Sequence, residues 1–433
     1  MNLKFCGDSK RRDTALRWLL LGAVVLVPLF KVGAMAALFQ GLIGDQVTVH
    51  TWFPLVVGKN LILPLLVVLL LYPLKKFYSP KVENIGIAVL LCVSFMAIVV
   101  TKDINVWTVL AGIRWLLPFL LIFLLVPFVE IDLLRKMSLA AVVVVVLNLI
   151  VQIVQTFYMQ PWFGMLPFWG LVARAPGFFL IPSTTAMFVC FSVLLYVLAD
   201  NRGGLAKCLI LFLGLFSVFL TLSGTGFCVM LIVLATVAVG ARWRVWFPFI
   251  VPASYAFTKV IITYFRGALY YEVSLGTRAD ILLGLAGASG QTGVLGQVGA
   301  SGLIGAFSFK GFFNWLFHAN FGAGTTAAWL LKYNMGVDIH PVSTDSLLAQ
   351  FIVNLGGIAL IFYLLVMVLT TLISYFLSNR EAVLWLVSIG IFSVTTPISE
   401  ALPMNIILAV AMAYFVKSES FSVAHVKKKM RTT

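Results

Sequence analysis

Two arginines stand where an otherwise apolar chain turns irregular. Arg174 opens the run 174–185, RAPGFFLIPSTT, in which Gly177 and Pro182 predict a rigid, non-helical backbone before a helix resumes. Arg278 stands in SLGTRAD, ahead of a glycine-rich turn from Gly293 to Gly299. A guanidinium presents a planar fork of donors that matches a phosphate in bidentate fashion, so both positions suit a phosphorylated ligand. Plainer readings stay open beside this one: Arg174 as an interfacial anchor, and Arg278 as the ion-pair partner of Asp280. The glycine turn neither follows a strand nor matches a nucleotide fingerprint.

Two further groups could move a proton. The run 340–357, HPVSTDSLLAQFIVNLGG, reads as a loop that enters a helix. Asp345 falls at the first turn of that helix, where the helix N-terminus stabilises a carboxylate. It is either a general base or an N-cap, and Thr344 could cap equally well. His340, five residues upstream, carries an imidazole that titrates near neutrality.

Four more cations, Lys31, Lys59, Arg114 and Lys259, sit inside apolar runs. A charge in a membrane is costly and marks function, unless a long side chain snorkels to the headgroups. Counted from the loop edges, all four fall in the outer half of the bilayer. With Arg174 and Arg278 they would make a positive region there, fit for a phosphorylated lipid headgroup.

The elements that must position these residues are membrane helices. The chain is 62% hydrophobic and 10% charged, with a mean hydropathy of +1.08. Soluble domains are roughly 25% charged, so no water-soluble fold accommodates this composition. Cutting at charged and turn-rich segments predicts about twelve spans: 18–40, 52–74, 82–100, 107–129, 137–158, 181–199, 208–223, 225–241, 247–265, 346–377, 382–397 and 404–416. The expected fold is all-α, one polytopic transmembrane domain over residues 1–433. The first apolar run reads as a retained helix rather than a signal peptide, because no small-residue cleavage site follows it. The five cysteines and four histidines are scattered, which argues against a disulfide framework and a metal centre.

Charge orients the bundle. With the N-terminus inside, the inside segments hold 20 of the 30 cations and the outside segments six. This asymmetry predicts two cytoplasmic ends and an even number of spans. The excess of 15 positive charges is then a topology signal, and nucleic acid is excluded as a partner. Residues 266–345 form one large outside loop of about 80 residues. Its stretches Leu303 to Phe321 and Thr325 to Met335 are apolar enough to lie along the membrane as interfacial or re-entrant helices.

In their order and topological places these segments resemble the bacterial superfamily of O-antigen ligases and Wzy-type polysaccharide polymerases. The matching features are Arg174 with Gly177, Phe178 and Pro182; the run 223–226, SGTG, at the outer end of a helix; Arg278 with Gly293 to Gly299; and the run from Asp345 to Gly357. They cover roughly residues 165–370. One departure is at the last helix entrance, where the family typically has His-Asn and this chain has Asp345-Ser346 by register with Gly356.

The resemblance implies a membrane glycosyltransferase of the inner membrane whose site faces the periplasm, with no cofactor and no metal. Its donor would be an oligosaccharide on undecaprenyl pyrophosphate. Arg174 and Arg278 would act on the pyrophosphate, with Arg114, Lys59, Lys31 and Lys259 binding substrate around them. Asp345 or His340 would be the base. A polymerase making O-antigen or exopolysaccharide is the expected member, working beside a flippase and a chain-length regulator. A ligase that transfers the glycan to the lipid A core is the alternative. A lipid-linked oligosaccharide flippase is the alternative of another class, although secondary transporters usually show repeats and midplane acidic sites, which this chain lacks.

Overall fold

The computed structural model describes residues 4–30, 53–71, 82–101, 104–158, 174–179, 181–199, 204–266, 316–317, 319–338 and 346–430. Among these residues the chain forms fourteen α-helices and no strand. In order they are α1 (Lys4–Phe30), α2 (Phe53–Leu71), α3 (Val82–Val100), α4 (Val106–Leu125), α5 (Ile131–Tyr158), α6 (Pro182–Ala199) and α7 (Leu205–Thr221). The second half contains α8 (Gly224–Val239), α9 (Trp243–Arg266), α10 (Thr326–Met335), α11 (Leu347–Leu355), α12 (Gly357–Phe376), α13 (Arg380–Thr395) and α14 (Met404–Met430).

A helix lies in each of the twelve segments predicted from the apolar pattern. Five helical stretches among the described residues are long and apolar enough to cross a membrane: α4, residues 131–156 of α5, α6, the continuous stretch 224–265, and α12. This is the composition of a membrane protein. Backbone groups in lipid must be satisfied within the chain, which the helix does locally.

Burial separates the centre of the bundle from its rim. Over its span α6 is 72% buried, whereas α12 is 17% buried. α6 packs against α5, α7, α8, α13 and α14. Phe191 of α6 stacks on Trp385 of α13, with ring centroids 5.4 Å apart. Gly226 lets α8 approach closely, because a β-carbon there would come 2.5 Å from that of Ala186 on α6. The open face of α12 carries Phe362, Val368 and Phe376, each more than half exposed.

Ionic contacts gather at one end of the bundle. Arg17 pairs with Glu130 at 2.9 Å and Asp132 with Lys136 at 2.8 Å, while the Lys417 ammonium donates to the Val129 carbonyl at 2.8 Å.

Local structure departs from the apolar pattern in three places. α1 begins at Lys4 rather than at 18, because the charged stretch before Arg17 contains good helix formers although it could not enter lipid. The predicted single span 346–377 is two helices, broken at Gly356, whose backbone (φ 84°, ψ 167°) is open to glycine. The cap of α11 is Ser346, whose hydroxyl accepts from the Ala349 amide at 3.1 Å, and therefore neither Thr344 nor Asp345.

Candidate functional site

Asn148, Gln152 and Gln155 recur at spacings of four and three along α5, which places them on one face of the helix. An amide among apolar helices is costly unless it is hydrogen-bonded, so this face needs a polar partner. The partner is the backbone of residues 175–178. Gln152 is fully buried; its Nε2 donates to the carbonyls of Ala175 (3.0 Å) and Ser217 (3.1 Å), and its Oε1 accepts from the Ser217 hydroxyl at 2.6 Å. Gln155 brackets Gly177, accepting from its N–H at 2.7 Å and donating to its carbonyl at 3.2 Å. The Asn148 Oδ1 accepts from the Phe178 amide at 2.9 Å, and the Thr185 hydroxyl of α6 donates to the Pro176 carbonyl. Gly177 has φ +61°, and a β-carbon there would overlap the Asn148 amide, so glycine is required twice over.

This clamp fixes the direction of Arg174. Its Nε donates to the Thr221 carbonyl at 2.9 Å, and the next amide, Ala175, donates to the Leu220 carbonyl at 3.0 Å. Both carbonyls belong to the last turn of α7, where a helix leaves acceptors unpaired. Leu222 then turns the chain with φ 47°, and α8 starts two residues later at Gly224. Ser223 occupies the N-cap of α8 without making a side-chain cap bond. A helix start without a side-chain cap and a guanidinium are therefore held close together, an arrangement suited to an oxyanion. Thr258 and Ile262 of α9 are the atoms nearest to a β-carbon built on Gly224 (3.9 and 3.6 Å), and Lys259 is exposed beside them.

A second polar junction holds residues 319–335. The Asn320 amide donates to the Val353 carbonyl (2.7 Å), Phe321 to the Thr101 hydroxyl (3.0 Å) and Gly324 to the Asn354 Oδ1 (2.9 Å). Gly322, at φ +87°, lies so close to the Thr108 carbonyl oxygen that a side chain would overlap it. All three first-turn amides of α10 are then taken. Ala328 donates to the Thr325 hydroxyl at 3.0 Å, while Thr326 (2.8 Å) and Ala327 (3.4 Å) donate to the carboxylate of Glu400. The same carboxylate accepts from the Gln350 Nε2 of α11 at 2.7 Å. Gln350 in turn accepts from the Trp115 indole (2.8 Å) and the Ser399 hydroxyl (3.1 Å).

The predicted site residues divide accordingly. Arg174 is bonded to the last turn of α7, and Lys259 is an exposed residue of α9, next in sequence to Thr258, which faces Gly224. Arg114 is half-buried on α4, next in sequence to Trp115 of the second junction. Lys59 lies within α2. Lys31, Arg278, His340 and Asp345 lie outside the described residues. Sequence reasoning missed Asn148, Gln152 and Gln155, whose helical spacing in an apolar run was a readable signal. It also missed Glu400, Gln350 and Asn354. Among the described residues no three His, Cys, Asp or Glu side chains come together.

No protein-family model matches the chain, and neither a curated protein nor a solved structure is similar to it.

Proposed function

We propose that this chain is a membrane glycosyltransferase that polymerises oligosaccharide repeat units carried on undecaprenyl pyrophosphate, as in O-antigen or exopolysaccharide synthesis. The observation that carries the reading is the seating of Arg174. Three side-chain amides of α5 each bond the backbone of residues 175–178, which follows Arg174 and holds it against the last turn of α7, a costly construction for a mere anchor. The order of motifs from Arg174 to Gly357 supplies the substrate class. On this reading about twelve spans carry both ends in the cytoplasm of a bacterial inner membrane. Arg174, Lys259 and the large loop 266–345 then face the periplasm, and the ionic end around Arg17 and Lys417 faces inward.

The chemistry follows from these positions. An acceptor hydroxyl attacks the anomeric carbon of the donor as the bond from that carbon to the phosphate oxygen breaks. The lipid pyrophosphate leaves with the bonding electrons, and Asp345 or His340 takes the hydroxyl proton. Arg174, Arg278 and the amides opening α8 hold the charge that develops on the leaving group, so positive side chains fill the role of a divalent metal. Arg114, Lys31, Lys59 and Lys259 contribute to the same positive field.

The test is direct transfer in a reconstituted membrane. Purified protein in nanodiscs, given the repeat unit on undecaprenyl pyrophosphate, should release undecaprenyl pyrophosphate and yield glycans of two or more units. Transfer only when lipid A core is supplied would make the chain a ligase. Movement of the intact donor across vesicles without any cleavage would make it a flippase.

A further inference from the structure

We propose that Glu400 is a positioning residue for this transfer, fastening together α10 and α11, the two helices that flank His340 and Asp345 in the chain. The inference rests on the glycosyl-transfer reading for its last step and on the hydrogen bonds of Glu400 for the rest. Its carboxylate joins elements distant in sequence: the amides of Thr326 and Ala327 at the start of α10, and the Gln350 side chain in the first turns of α11. The turn that carries it, residues 398–400, packs against α4 and α14. It is tied to α11 a second time, through Ser399 to Gln350, and the neighbouring Thr396 carbonyl accepts from the Leu347 amide at 3.2 Å.

Among the described residues no Lys or Arg pairs with Glu400, so its charge is balanced by neutral donors and by the dipole at the start of α10. Residues 319–325 have separate fastenings to Val353, Asn354 and Thr101. Removing Glu400 therefore loosens α10 and the entry of α11 without detaching the segment before them. The two stronger bonds share Oε2, at 2.8 and 2.7 Å, while Oε1 takes only the long bond from Ala327. A glutamine can keep its amide oxygen in the Oε2 position and lose the Ala327 bond alone. An alanine loses all three. Glu400→Gln should thus be a partial replacement, and Glu400→Ala a full removal.

The experiment uses the full chain in nanodiscs and reads amide hydrogen exchange beside steady-state transfer. In Glu400→Ala, exchange over 326–335 and 347–350 should quicken by about tenfold or more, with peptides from α6 unchanged. The same variant should lower kcat by about tenfold or more at an unchanged KM for the lipid-linked donor, because a displaced catalytic group costs rate rather than binding. Glu400→Gln should recover most of both. Exchange in Glu400→Ala equal to the parent would overturn the fastening, and faster exchange with an unchanged kcat would overturn the positioning role. A parent protein that transfers no glycan at all would bring down the glycosyl-transfer reading itself, and the positioning role with it.

Discussion

Gly177 and Asn148 occupy one small volume: the Asn148 amide fills the space of a side chain that residue 177 does not have, and its Oδ1 accepts from the Phe178 amide at 2.9 Å. The backbone at Gly177 and Phe178 is thereby pinned to α5. Gly177→Ala should destabilise the protein by about 2–4 kcal/mol, from the left-handed backbone and the overlap together. Thermal denaturation in detergent checks the loss. Adding Asn148→Ala to Gly177→Ala should cost less than the sum of the two single changes, because the first substitution clears the space that the second needs. Simple additivity of the pair would sink this account.

Arg174→Lys keeps a positive charge but loses both the planar fork and the bond from Nε to the Thr221 carbonyl. Release of undecaprenyl pyrophosphate should fall by about tenfold or more in Arg174→Lys and in Arg278→Lys, with protein levels matched by blotting. If both variants make normal polymer, the two arginines are interfacial anchors and the pyrophosphate is held elsewhere.

The base is a choice between Asp345 and His340. Because Ser346 caps α11, Asp345→Asn leaves that cap in place while it takes away a proton acceptor. Polymer synthesis should drop by about a hundredfold or more in Asp345→Asn. Normal polymer from Asp345→Asn, with none from His340→Ala at equal expression, would move the assignment to His340.

The orientation has its own check. A cysteine placed at Ser301 should react with an impermeant maleimide added to intact cells, and one placed at Ser418 should not. The reversed pattern would put the Arg174 site on the cytoplasmic side and exclude a periplasmic reaction.

The helical segments were legible because apolar length is a strong, local signal, and the irregular backbone at Gly177 was legible because glycine and proline announce it. The start of α1 was not, since solubility in lipid and helix formation are different properties, and Lys and Arg lack only the first. The break at Gly356 was hidden inside one continuous apolar run. The bonds of Glu400 were beyond reach for another reason: its partners Gln350 and Thr326 lie 50 and 74 residues away, and no local pattern records such a meeting. The stripe of Asn148, Gln152 and Gln155 falls between these cases. Its periodicity is plain, but what it binds is visible only in three dimensions.

That stripe also bears on how the chain can be built into a bilayer. While α5 is emerging, its three amides have nothing to bond to, since their backbone partners at Ala175, Gly177 and Phe178 follow 22 to 30 residues later and the Ser217 hydroxyl 65 residues after Gln152. Polar side chains are costly in hydrocarbon, and a helix that carries three of them gains by staying out of lipid until they are answered. α5 therefore has reason to wait at the insertion machinery for α6 and α7, and to enter with them as one unit of biogenesis.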